Sequence, residues 1–182
     1  MAHSVLVPKK IMASDSDSLN RVAVSASAID NGWVMQLATR SATAGESEVW
    51  VGTAPAAGAG LKELWMAYSP EVVSVISGSN VYKGIDADPQ NFYHIIGEMI
   101  DVFKPQLGDI LLMTGDGFAT GTGAASAFAV ATNATFLLTW AAAAVSGLSL
   151  KYLATSYISK PTGTISDTQR VTAYLMEVSA LA

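Results

Sequence analysis

Short runs of β-branched and aromatic residues, closed by Gly, Pro, Asn, Asp or Ser, recur along most of the chain and constrain its fold more than any other feature. Residues 21–27 (RVAVSAS), 32–40 (GWVMQLATR) and 47–53 (SEVWVGT) are three such runs. Within the second, Trp33, Met35 and Leu37 fall on one face and Gln36 and Arg40 on the other, the alternation of a half-buried antiparallel strand. Residues 61–73 (LKELWMAYSPEVV) also fit helical spacing through Leu61, Leu64, Trp65 and Tyr68. Ser69-Pro70 disfavours the α region, however, and the segment reads as a strand. EMIDVF (98–103) and DILLMT (109–114) flank a KPQLG corner, where proline fixes one backbone angle and glycine permits a turn closed to other residues. TFLLTW, LKYLATSYI and RVTAYLMEVS supply further strands, the last apolar on both faces up to Glu177, as in a strand covered on both sides. Helical signal is confined to residues 88–100, where Asp88 can cap a single turn with Pro89 at its first position before Gly97 curtails it.

These patterns predict a mainly β protein, an antiparallel sandwich or barrel-like body in two small lobes with an extended N-terminal arm. The arm is placed at residues 1–20, the lobes at 21–85 and 86–182, and their boundary in the turn-rich GSNVYKGIDADPQN (78–91).

With 182 residues, 51% of them hydrophobic, the chain can bury a sizeable core. Its net charge is -5 and Lys9-Lys10 is the one basic pair, which gives no electrostatic grip on nucleic acid. Cysteine is absent, removing disulfides, thiolate metal sites and thiol nucleophiles together. Residues 117–150 carry no charge, yet Thr132, Asn133, Thr135 and Thr139 interrupt them and Ala and Gly dominate, so they read as buried or partner-facing and not as a membrane span. MAHSVLVPKKIM lacks the pattern of a secretory signal, and a cytoplasmic origin is expected.

Motifs for chemistry are incomplete. TGDGFATGTGAAS (114–126) lacks the Lys-Ser/Thr ending of a phosphate loop, and Ser126 stands where a dinucleotide fingerprint needs glycine. Asp15 and Asp17 open like a calcium loop without its glycine or closing glutamate, and Asp86 with Asp88 forms another oxygen-rich turn. His3 and His94 have no partner at metal-ligand spacing, no G-x-S-x-G elbow occurs, and sequence cannot bring Glu46, Glu48, Glu98 or Asp101 into an acid/base pair. No enzymatic activity, cofactor or metal is expected. Trp33, Trp50, Trp65 and Trp140 could stack on sugars or anchor an interface. Three sit among apolar strand neighbours as core residues, and Trp50, between Val49 and Val51, is the one read as exposed.

VLVPKK, LWMAYSPEVV, NFYHIIGEMIDVFKPQLGDILLMTGD and TQRVTAYLMEVS, in that order, resemble the capsid decoration (cement or auxiliary head) proteins of tailed bacteriophages. The resemblance implies a β-rich body on the outer capsid surface that bridges major capsid proteins, has no chemistry of its own, and uses FKPQLGDIL as a structural turn between paired strands. The alanines at 141–144 have no counterpart in it. Val5, Leu6, Val7 and Pro8 are expected to add to a neighbouring chain's surface or sheet edge. With Trp50 they make the expected interface to the major capsid protein or to neighbouring copies of the chain. A tail-tube protein or a carbohydrate-binding module fits the same composition.

Overall fold

The structure is a computed structural model that describes residues 2–43, 45, 47–58, 63–70, 72–77, 80–85, 88–119, 127–161 and 168–181, with backbone alone at 72–77, 80–85, 161 and 168. The chain is mainly β. Its strands are β1 (Leu6–Lys10), β2 (Asn20–Ser25), β3 (Val34–Arg40), β4 (Val49–Thr53), β5 (Leu64–Ala67), β6 (Val72–Ser77), β7 (Asn80–Ile85), β8 (Met99–Phe103), β9 (Ile110–Thr114), β10 (Phe128–Ala131), β11 (Leu138–Ala141), β12 (Ser149–Pro161) and β13 (Thr168–Ala180).

Two assemblies pack into a sandwich-like body. One is a closed barrel in the order β2-β4-β3-β5-β8, antiparallel except where β2 runs parallel to β4. The other is a six-stranded antiparallel sheet in the order β1-β9-β13-β12-β10-β11. Chain order and sheet order differ, since β8 returns to close the barrel and β1 joins the sheet built otherwise from β9 onward. Strands β6 and β7 pair with each other from Val72 opposite Ile85 to Ser77 opposite Asn80, so much of the turn-rich stretch read as a lobe boundary is strand.

The apolar face read in β3 holds, but the opposite face is not left to water: Val34 there is fully buried, and a register shift between Leu37 and Thr39 breaks the alternation before Arg40. Met35 is fully buried inside the barrel with Ala23, Ile29, Ala67, Ile100 and Val102, and Trp33 and Leu37 pack on the same cluster. Gly52 makes room for it, because a Cβ there would lie 2.6 Å from the Met35 sulfur. A larger core joins the two assemblies: Val34, Leu64, Met66 and Phe103 of the barrel meet Leu6, Leu111, Met113, Leu138, Leu150 and Met176 of the sheet. In β13, Met176 and Val178 face this core, while Leu175 and Glu177 on the opposite face are half-buried, so that face is partly covered. The uncharged 117–150 contributes two short strands, β10 and β11. Among the described residues no helix is long and apolar enough to cross a membrane.

The N-terminal segment differs from expectation. Leu6 pairs with Met113, Val7 with Leu112 and Pro8 with Leu111, so the sheet edge that Val5, Leu6, Val7 and Pro8 were expected to find on a neighbour is β9 of their own chain. Val5 and Leu6 are 2% and 1% exposed, Val7 and Pro8 half-buried. The reason lies in the core: without β1, the edge of β9 and the apolar layer beneath it would face water. Polar bonds pin the segment further, with the Asp30 carboxylate accepting from His3 Nδ1 and from the Ser4 amide, each at 2.9 Å. Proline is tolerated at Pro8 because β1 is an edge strand.

The KPQLG corner carries the chain from barrel to sheet. Gly108 has φ +85, the left-handed region that favours glycine. Asp109 is buried, and its carboxylate accepts from the Met12 amide at 2.9 Å and the Gln106 amide at 2.8 Å. One side chain thereby ties the corner to the segment that follows β1. The two amides are part-buried, so each left without its acceptor costs toward the low end of about 1–3 kcal/mol, and Asp109→Ala should lower the unfolding free energy by about 1–3 kcal/mol in urea titration and Asp109→Asn by about half of that. Deleting residues 1–10 should remove about 3–6 kcal/mol through Val5 and Leu6 alone, read as loss of a cooperative transition in the same assay.

Candidate partner surface

Among the described residues, the most apolar exposed feature is a turn at 93–99. The chain enters it from the 3-10 turn Pro89–Asn91, which Asp88 caps by accepting from the Gln90 amide, as its sequence indicates. Phe92 and His94 then point inward, 5% and 2% exposed, and a two-bond backbone bridge joins His94 to Ile29. The intervening and following side chains point outward: Tyr93 is 41%, Ile95 59%, Ile96 68% and Met99 53% exposed. Glu98 shapes the turn with its amide donating to Ile95 O and its carboxylate accepting from Ile95 N, both at 3.1 Å, while Gly97, at φ +79, donates to Ser25 O. Tyr93 stacks on His3 with ring centroids 4.4 Å apart. Beside the turn lie the exposed, uncharged Ala26, Ser27 and Ala28.

His94 is the one titratable group among the described residues whose pKa departs clearly from its ordinary value. Burial of its ring holds its pKa below the usual 6.5, against the pull of Glu98, Asp101 and Asp30, which favour the charged form.

A second feature is a ribbon. Strand β10 pairs with β12 only at Ser149, Leu150 and Lys151, and β9 with β13 only over 173–177. Beyond them β12 and β13 continue as a two-stranded extension, from Tyr157 opposite Thr172 to Pro161 opposite Thr168. Five residues of strand span about 17 Å. Tyr157 is exposed on it, and Leu153 is exposed just before it. Lys160 Nζ reaches Asp88 Oδ2 and Gln90 Oε1, each at 3.0 Å, so the ribbon is tied to the turn that leads into 93–99.

A third lies on the barrel wall. Arg40 sits over the Trp50 ring at 5.4 Å and Arg21 over Trp65 at 5.6 Å. Two shallow grooves, of about 450 Å³ and 380 Å³, share Asn20, Arg21 and Val22. Acidic groups balance the arginines, Asp101 in the larger groove and Glu48 in the smaller, where Glu48 and Arg40 form a solvent-exposed pair at 3.8 Å. Such a pair contributes little.

The expected interface residues do not come together. Trp50 lies on the barrel, half-buried with a guanidinium over its ring, and Val5, Leu6, Val7 and Pro8 lie on the edge of the six-stranded sheet. Of the acidic residues weighed for chemistry, Asp15 and Asp17 are exposed, Asp88 pairs with Lys160, and Glu98 lies in the turn. Asp86, Glu46 and most of the glycine-rich 114–126 lie outside the described residues. Among those described, no group of three His, Asp or Glu could hold a metal ion. Ala141 ends β11, and Ala142, Ala143 and Ala144 are exposed beyond it. The residues that reading by sequence missed are Ile95 and Ile96. Their signal was present in adjacent isoleucines before Gly97, because a chain turning at that glycine cannot bury both. No family model matches this sequence, and neither a curated protein nor a solved structure matches it.

Proposed function

We propose that this chain is a structural protein of a tailed-bacteriophage virion, seated on the outer capsid surface and bridging major capsid proteins. The observation that carries the reading is the turn at 93–99, which holds four large apolar side chains in water beside an uncharged stretch of surface. Large apolar side chains grouped in water within one short turn point to an interaction site, whereas isolated exposed apolar residues do not. The turn also lies within NFYHIIGEMIDVFKPQLGDILLMTGD, the longest segment that carries the resemblance to decoration proteins. A stable interface buries roughly 1,200–2,000 Å² in total, and apolar burial at about 25 cal/mol per Å² outweighs screened ion pairs of about 0–1 kcal/mol. Attachment through such a surface tolerates salt.

A second reading, a tail-tube protein, is favoured by the ribbon of β12 and β13 and by the sheet edges at β1 and β11, which suit repeated head-to-tail contacts between copies.

Mixing the purified protein with undecorated capsids and imaging them separates the two. Decoration retained in half-molar salt is the expected result. Ile95→Asp with Ile96→Asp should leave the fold intact by circular dichroism yet weaken decoration at least 100-fold, since two apolar anchors of about 2 kcal/mol each are lost. Bare heads with wild-type protein would end the capsid reading. Tubes formed by the protein alone would select the tail.

A further inference from the structure

His94 is buried, and among the described residues neither ring nitrogen has a hydrogen-bond partner. A neutral imidazole carries one N–H donor and one acceptor, and burying both unsatisfied is costly, so the site holds stored free energy that another arrangement can release. Phe92 packs edge-on against the ring, centroids 4.9 Å apart, and the backbone bridge to Ile29 fixes the residue from the other side. The nearest ionisable group is the Glu98 carboxylate. Its Oε2 lies 3.7 Å from His94 Nδ1, just beyond hydrogen-bond reach, and that same oxygen accepts from the Ile95 amide at 3.1 Å. One carboxylate oxygen thus stands between two donors. With the Glu98 side chain 41% exposed, it has room to shift.

Every charged group acting on the ring is acidic: Glu98, four residues on, Asp101 of β8, and Asp30 beside the bridge, itself hydrogen-bonded to His3. A charged imidazolium would be attracted by all three, and only desolvation opposes it. These are the makings of two states, a neutral ring beneath a closed turn and a charged ring paired with Glu98.

We propose that His94 is a proton-operated latch on the apolar turn at 93–99: when the ring takes up a proton, Glu98 leaves the Ile95 amide for the ring, and the turn that presents Ile95 and Ile96 opens. The proton comes from solvent and stays on the ring, and no bond other than hydrogen bonds is exchanged. A bond of about 2.7–2.9 Å between two ionised groups replaces one from a neutral amide to the same carboxylate, which supplies the driving force. Loss of the Ile95 bond leaves Glu98 N to Ile95 O and Gly97 N to Ser25 O as the ties across the turn. The direction in pH follows from the burial of the ring. The folded state refuses a proton that the unfolded chain accepts below about pH 6.5, so stability is complete above that value and falls as pH drops toward the lower folded pKa, by up to tenfold in the folding equilibrium per pH unit.

The latch is a property of the turn and does not depend on which partner the turn meets, so it is tested on the isolated protein. Amide hydrogen exchange, corrected for its intrinsic pH dependence, is compared between pH 7.5 and pH 5.0. The expected result is a loss of protection at the Ile95 amide on acidification that exceeds any loss in the strands of the six-stranded sheet by at least tenfold. His94→Phe, or His94→Gln where the phenyl ring disturbs folding, should make that protection independent of pH. Glu98→Gln keeps an acceptor for the Ile95 amide but cannot form the ion pair, and should hold the turn closed at pH 5.0. Protection at Ile95 that does not change with pH in the wild type overturns the latch, as does an undiminished pH effect in both His94 variants.

Discussion

The apolar layer between barrel and sheet is the contact on which the rest of this structure depends. A five-stranded barrel of this size encloses few side chains, among them Ala23, Ile29, Met35, Ala67, Ile100 and Val102, and a sheet with one bare face cannot stand alone in water. Val34, Leu64, Met66 and Phe103 give the barrel an outward apolar wall, and Leu111, Met113, Leu138, Leu150 and Met176 give the sheet its matching face. Neither half is complete until they meet. That mutual requirement explains why β1 leaves the start of the chain to flank β9, and why Val5 and Leu6 are unavailable to another molecule.

Buried polar groups then fix how the halves are joined. Asp109 ties the corner after β8 to the segment after β1, and Asp30 holds His3 and Ser4. Asn31 and Ser69 exchange two 3.0 Å bonds, the Asn31 amide donating to Ser69 O and accepting from Ser69 N, while Ser69 Oγ accepts from the Asp101 amide. Each is a side chain doing what a ladder bond does elsewhere, at a place where the backbone leaves its strand. Because an orphaned buried amide costs more than a made bond gains, these groups select one arrangement more than they add stability.

Much of the fold was legible because it followed from local chemistry. The alternation of Trp33, Met35 and Leu37, the Asp88 cap and the Pro105–Gly108 corner each depend on neighbours within a few residues. Pairing was not legible. Nothing local in RVTAYLMEVS says that β13 runs between β9 and β12, since that choice is made by facing apolar layers far apart in sequence. Strand β10, FAVA, escaped notice because its small residues carry little strand signal, and β7 was hidden by Asn80 and Gly84, which read as turn formers. The candidate surface was missed for a related reason. Ile95 and Ile96 look like core residues by composition, and only the left-handed backbone at Gly97 turns them toward water.

The position of β13 has a consequence for how the molecule is made. It follows both of its sheet neighbours in the chain yet lies between them, and β1 must wait for β9, which begins about 100 residues later, since Leu6 pairs with Met113. At a synthesis rate of about 5–20 residues per second, β1 is in existence for on the order of ten seconds before its partner emerges. Until β13 arrives, β9 and β12 each display a row of unsatisfied amides and carbonyls to solvent. A nascent chain can close its barrel once β8 is out, but the second half is sealed by an insertion, and any product that stops short of β13 is left as a half-built body with two sticky seams.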